Sequence, residues 1–567
     1  MRYTRLRNLP CRITLEDMIS NISSIPFLNS FPSLRNLKAG SVVRLRAMVQ
    51  DNLDRVMKHK SYGQYDLRFR PELEGVPENY VADFECSFYN VDRYVLVSVP
   101  GSRIVETFPL EMVAGYFSDL QGVNGKRELL HESSDASIKR AREENRQDDS
   151  GDTPPDLVPV DEDAELPACG VSYSARPPHP VPDRLLSKND TRPRFSCLGN
   201  VCDADKEYKL HEIVDVLGIV YKAPTDPGLP PLDFTFEILH MEPAQDASVP
   251  REISATARSD LKSALSNILC GDQTAAEYLL LQLVSNRIQG HEVLPTMGSW
   301  ALSISNADNV NVESLVEFLQ SLSGFIPNTI PGVVSFETSN SILLNEKFYP
   351  LRLADAEHTS PGMLQLAPKT IVIIDERTLG EGNVNAMNVL AINKAVREQT
   401  LLGIFGESSC IDFPIDLKFI ILNRGRSRSI FEKINPSAGI NGSVPLAHVE
   451  LRPNPMVDDS PCNCTEHLAH YIARCQDSIK DVQISDEIVS LFQNDWVESR
   501  KNDPKIPTED IHIWATLMRV VSASHGQSIV ATGHLKDLLD IEHIRRSRFP
   551  DLTTSRLDQD IQAVVGG

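Results

Sequence analysis

No G-x-x-x-x-G-K-[ST] string occurs anywhere in the 567 residues. The chain therefore lacks the loop whose amides and lysine cradle nucleotide phosphates. The nearest fragment, Gly122-Val123-Asn124-Gly125-Lys126-Arg127, has the wrong glycine spacing and no hydroxyl after its lysine. Positive charge is also in deficit: 56 Lys and Arg against 78 Asp and Glu leave a net charge of -22, which argues against a general electrostatic grip on nucleic acid. Aromatic residues make up only 6%, too few for an extended base-stacking surface. No uninterrupted apolar run approaches the length of a membrane span, and the polar start MRYTRLRNLP does not read as a signal peptide. The ten cysteines are scattered without a short disulfide framework, which fits a reducing compartment, cytosol or nucleus. One cluster, Cys462-Asn463-Cys464 with His467, His470 and Cys475, has zinc-ligand chemistry, but C-x-C is tighter than the usual spacing. His467 and His470 are assigned instead to a helix beginning near Thr465, and no metal is expected.

What is present centres on Gly362–Glu376, GMLQLAPKTIVIIDE. Its run Thr370–Ile374 is too continuous for a one-sided strand and suits a parallel strand buried on both faces. The run ends in two carboxylates, Asp375 and Glu376, at the strand end where open α/β sheets bind ligands. In a nucleotide hydrolase one such acid helps hold Mg²⁺ and the next orients the attacking water. Without a phosphate loop, these acids read as half of an ATPase site.

The length implies two to four domains. Residues 12–22 read as a short helix and 24–30 as a turn. Ser41–Gln50, VADFECSFY (81–89) and RYVLVSV (93–99) are strands of a β-rich, barrel-like domain assigned to residues 1–125. From 126 to 205 the chain is acidic and proline-rich without apolar periodicity, the signature of a disordered linker. Within it, Lys139-Arg140-Ala141-Arg142 is a candidate nuclear import signal. Residues 206–255 form a β segment built on Tyr208–Tyr221 and PLDFTFEILHME (231–242). Residues 256–430 alternate helices (259–269, 274–288, 312–322, 385–402) with strands (301–305, 333–337, the acidic strand, and Leu417–Asn423), an α/β core. Residues 431–567 begin as a proline-rich loop and continue as a helical lid.

In order along the chain, several segments resemble one family. GMLQLAPKTIVIIDE is similar to the magnesium-strand segment of the minichromosome maintenance (MCM) replicative helicases, with Gly362, Leu366, Ala367, Ile374, Asp375 and Glu376 on its marked positions. SIPFLN…SVVRLRAMVQDNLD, VLGIVY, EYLLLQLVS…VLPTMGSWALSIS, GMLQLA…IVIIDE and LMRVVSASHGQS…LDIEHIRRSR together resemble the MCM-binding protein family. The chain departs from these patterns in having no phenylalanine after Asp375-Glu376 and in the basic ending Asn423-Arg424-Gly425-Arg426. Ser547-Arg548-Phe549 is similar to a helicase arginine-finger motif but lies after the lid, so it is taken as coincidence.

The resemblance implies an MCM/AAA+-like α/β core lacking a P-loop. It also implies a nuclear, non-catalytic protein with no cofactor, no small-molecule substrate and no membrane partner. Its partners would be MCM helicase subunits, with chromatin reached through them. The implied roles are MCM subunit assembly, unloading from chromatin and sister-chromatid cohesion. Two contact regions joined by a flexible linker are expected to hold the partner. A divergent ATPase and a single-strand nucleic-acid binder are the alternatives.

Overall fold

The computed structural model describes residues 25, 27–30, 40–59, 88–102, 194–202, 207–221, 224, 229–244, 256–287, 300–323, 325–326, 328–352, 358–380, 382–406, 409–425, 431, 446–454, 465–502 and 510–548. The helix expected over 12–22, the import signal at 139–142, and Cys462 and Cys464 lie outside them.

Five strands close a barrel: β1 (Val42–His59), β2 (Phe88–Val97), β3 (Ser196–Cys202), β4 (Ile213–Tyr221) and β5 (Phe234–Pro243), in the order β1-β2-β3-β5-β4. All pairs are antiparallel except β3 with β5. A five-stranded Greek-key barrel of this kind is an OB-type fold. Strand alternation sends Val43, Leu45, Ala47 and Val49 into one buried cluster and leaves Arg44 and Arg46 on the other face. β1 serves both neighbours because it bends. It pairs with β4 over Val42–Met48 and with β2 from Met48 to His59, with register shifts after Val49 and Leu53.

Two expectations are corrected here. Ser196–Cys202, placed in the linker at 126–205, is a barrel strand buried between β2 and β5. The segment 206–255 is no separate unit but supplies the strands that close the barrel begun by β1 and β2. A single seven-residue strand following a long polar tract is too short to register against the surrounding composition.

The α/β core carries a parallel sheet of β6 (Ala301–Ser305), β7 (Val333–Glu337), β9 (Ile371–Asp375), β12 (Lys418–Leu422) and β13 (Leu446–Glu450), in the order β13-β6-β12-β9-β7. Ile371 and Ile373 enter one apolar cluster and Val372 and Ile374 another, so both faces are covered and the strand sequence is continuous rather than alternating. The first cluster joins the sheet to α1 (Ala257–Ile268), α2 (Gln273–Val284), α3 (Val312–Leu322) and the C-terminal helices α6 (Thr465–Ser478), α7 (Asp486–Asn502), α8 (Asp510–Ser524) and α9 (Thr532–Ser547). The second covers the opposite face with α4 (Asn340–Asn345) and α5 (Ala386–Glu398).

β13 arises inside 430–465, a stretch expected to be loop, and completes one edge of the sheet. The helix expected over 385–402 stops at Glu398, where Gln399 adopts a left-handed backbone (φ 51). A hairpin follows: β10 (Thr400–Phe405) and β11 (Ser409–Pro414), with β10 also pairing to the short β8 (Leu351–Arg352). Thr400-Leu401-Leu402 satisfies either period, and the pairing with β11 decides it.

Barrel and core meet along a tight seam. Val333 N–H donates to Gly101 O, and Asn328 Nδ2 to Ala244 O. A Cβ on Gly332 would lie 2.1 Å from Pro100 O, and one on Gly101 2.2 Å from Val333 O. Asp51 accepts from Thr359 N–H, and Ala367 packs among Met48, Val95, Leu198 and Ile213. His211 is enclosed beside Gln365, and burial lowers its pKa to about 4. The expectation of two regions on a flexible tether is thereby corrected: backbone-to-backbone contacts hold the barrel directly against the core.

Candidate functional site at the strand ends

Because β9 and β12 run parallel in register, Asp375 lies opposite Leu422, and Glu376 and Asn423 follow side by side. All three side chains are buried: Asp375 is 7%, Glu376 5% and Asn423 1% exposed. Asp375 caps the 3-10 turn Glu376–Thr378 by accepting Arg377 N–H. Its two oxygens also take Arg377 Nε and Nη2, each at 2.8 Å. The same guanidinium reaches across to the loop after β6, where Nη1 donates to Ala307 O at 2.9 Å and Val310 O at 2.8 Å. Hydrogen bonding to Asp375 raises the Arg377 pKa, and the contact is bidentate.

The loop from β6 to α3 stands where a strand–loop–helix nucleotide site holds phosphate. Here Asn306 takes a left-handed backbone (φ 58), its Nδ2 is tied to Leu451 O, and Ala307 N–H donates to Asn423 O. Asn423 is itself bonded through Nδ2 to Ser303 Oγ at 2.9 Å. The loop thus turns carbonyls toward Arg377, whereas a phosphate needs convergent N–H groups. Both Asp375 oxygens are engaged by the guanidinium rather than open to a cation. Residues at this site do not fit a magnesium nucleotide.

Other residues singled out from the sequence sort as follows. His467 faces Asp260 at 3.6 Å, and Cys475 is buried, its thiol pushed up to about 12 by desolvation. Among the described residues no group of three metal-ligating side chains assembles. Arg548 is drawn inward: Nη1 meets the buried Asp272 at 2.6 Å and Nη2 donates to Thr274 Oγ1. Asp272 in turn caps α2 through Thr274 and Ala275 N–H, so this arginine fastens α9 to α2. On the barrel, Arg46 pairs bidentately with Asp215 and Arg55 with Asp92. Arg44 lies 5.0 Å over the Phe27 ring and donates to Ile25 O. Arg44, Arg46 and Arg55 are thus each engaged within the barrel.

Sequence reasoning overlooked Lys418. Read only as part of an apolar strand, it is buried, and its ammonium donates to Gln282, Leu283 and Ser285 carbonyls at the end of α2. Burial, with Lys369 nearby, lowers its pKa to about 7. A lysine opening a strand beside a helix C-terminus is the only trace in the sequence.

An OB-type barrel seamed to a five-stranded parallel α/β core, with the Asp375 carboxylate held bidentately by the chain's own Arg377, defines a protein of mixed α/β type with a β-rich N-terminal region. The chain belongs to the mini-chromosome maintenance replisome factor family, whose profile matches residues 13–230 and 236–549. It is similar to proteins named mini-chromosome maintenance complex-binding protein. The Salmo salar protein is 29% identical over 307 residues, covering 52% of this chain and 46% of that protein. The Drosophila melanogaster protein is 23% identical, with 95% of each chain covered, and the Arabidopsis thaliana protein 24% identical, with 93% and 91% covered. The chain spans about half the length of the salmon, chicken and cattle relatives it matches, and nearly all of the fly and Arabidopsis ones.

Proposed function

We propose that this chain binds the MCM complex in DNA replication and does so without hydrolysing ATP. Binding to that complex is what the relatives' shared name describes. The observation that carries the non-catalytic part is the Asp375–Arg377 latch, which fills the strand-end site with a side chain of the protein itself. An AAA+-like core of this kind keeps the surfaces by which such domains pack side by side while holding no nucleotide between them. The chain then takes the place of a ring neighbour against MCM subunits in the nucleus, and reaches chromatin through them. Subunit assembly, unloading from chromatin and sister-chromatid cohesion are the roles consistent with such a substitute. Paired arginines on the barrel give the single-strand reading no support.

The test is to titrate the full chain against purified MCM subcomplexes lacking different subunits, and separately against ATP by calorimetry. The expected result is binding to incomplete rings, strongest for one missing subunit, with no heat from ATP. Equal binding to every subcomplex and to the closed ring overturns the substitution, and ATP binding that Asp375→Asn abolishes overturns the non-catalytic reading.

A further inference from the structure

We propose that the outer edge of β11 is a docking site for an extended, basic segment of another protein, which adds to the β8–β10–β11 sheet as a fourth strand. β11 is the terminal strand of this sheet among the described residues. Ser409, Cys410, Ile411, Asp412 and Pro414 are exposed, with Phe413 half-buried. Ile411 is 46% exposed.

The register settles which backbone groups face outward. Ile404 and Gly406 N–H donate to Pro350 and Arg352 O on the β8 side, so the odd-numbered residues of β10 face β11. Ile415 N–H donates to Gln399 O, so the odd-numbered residues of β11 face back. By strand alternation, the N–H and C=O of Cys410 and Asp412, and the C=O of Pro414, point away from the sheet. Proteins commonly blunt such edges with lysine, mid-strand proline or a bulge. β11 has no lysine, its proline is its last residue, and the β10–β11 register is unbroken.

Charge selects the occupant. From Thr400 to Pro414 the sequence has two acids, Glu407 and Asp412, and no Lys or Arg. Asp412 has a partner in Lys394 on α5, yet its side chain is 43% exposed. A second copy of this chain, at -22 net charge, would bring like charge to like. A basic strand fits both the ladder and the field, with alternate side chains lying over Ile411.

This inference is independent of the MCM reading, and its probe is too. Fluorescent ten-residue peptides of alternating Lys, Val and Thr, with a Glu-for-Lys counterpart, are titrated against the full chain by anisotropy. Hydrogen exchange is followed at Cys410 and Asp412. The Lys peptide is expected to bind and the Glu peptide not, with both amides slowed at least 10-fold at saturation. Cys410→Pro removes an outward N–H without touching the β10 ladder and should weaken binding at least 10-fold. Asp412→Lys keeps the backbone intact and should reverse the preference toward the Glu peptide. Binding of neither peptide, equal binding of both, or unchanged exchange at the two amides overturns the proposal. A self-association that Cys410→Pro abolishes would also overturn it, by giving the edge to a second copy.

Discussion

Replacing Arg377 with alanine tests whether the strand-end cluster is held together by one side chain. In the folded protein Arg377 is 16% and Asp375 10% exposed by side chain, so solvent screens the pair little. The substitution leaves a buried carboxylate without its counter-ion and the carbonyls of Ala307 and Val310 without their donor. Stranding one member of a buried pair costs about 3–5 kcal/mol, and each unmet carbonyl adds about 1 kcal/mol. Water entering the vacated volume recovers part, for a net loss of roughly 3–4 kcal/mol. The double variant Asp375→Asn, Arg377→Met removes both charges and should lose only about 1–2 kcal/mol, because no charge is stranded. Urea unfolding followed by tryptophan fluorescence measures this directly, since Trp300, Trp496 and Trp514 all belong to the cluster on the helical face of the sheet. Hydrogen exchange in the 306–311 loop should accelerate in the single variant more than in the double. An Arg377→Ala protein within 1 kcal/mol of the parent (roughly the yield of one hydrogen bond), or a double variant as unstable as the single, would refute the latch.

Gly332→Val should lower stability by about 2 kcal/mol or more through overpacking against Pro100 O, and differential scanning calorimetry should show the loss, with protease sensitivity rising at the seam. Lys418→Met should cost about 2–3 kcal/mol by leaving the α2 carbonyls unmet, measured by the same urea titration. The lysine also has a pH signature. Its folded pKa of about 7 lies below the unfolded 10.5, so the unfolded chain binds the extra proton between them. Stability from this group is full above the unfolded value and drains as pH falls toward 7, and that slope should vanish in Lys418→Met. Glu542→Gln tests the buried network at α9, where burial opposes ionisation but Arg545 and Tyr278 outweigh it and hold the pKa below normal. The carboxylate's contribution is therefore present above 4.5 and lost as acid is added through the lowered folded value. The variant should be less stable at neutral pH by about 2–4 kcal/mol and flatter in acid, as read from melting temperature against pH.

Much of the core was legible from residue pattern alone. The run Thr370–Ile374 suits a doubly buried parallel strand, and β9 is one, its neighbouring side chains entering apolar clusters on opposite faces. The helices expected over 274–288 and 312–322 are found as Gln273–Val284 and Val312–Leu322. The missing phosphate loop removed half of the site before any geometry was known. Tertiary structure alone decided the rest, because long-range pairing leaves no local trace. Ser196–Cys202 becomes a strand only where β2 and β5 flank it, and β13 only where β6 offers an edge. Thr400-Leu401-Leu402 leaves the helix because β11 lies opposite it, in register from Pro414 to Asp412. Nothing local in the sequence singles out Arg377, two residues from Asp375, and what makes it a latch is the return of the Ala307–Val310 loop from about seventy residues away. Sequence sets which side chains must be buried and which charges exist, but which carbonyl or carboxylate each charge meets depends on how distant segments come together.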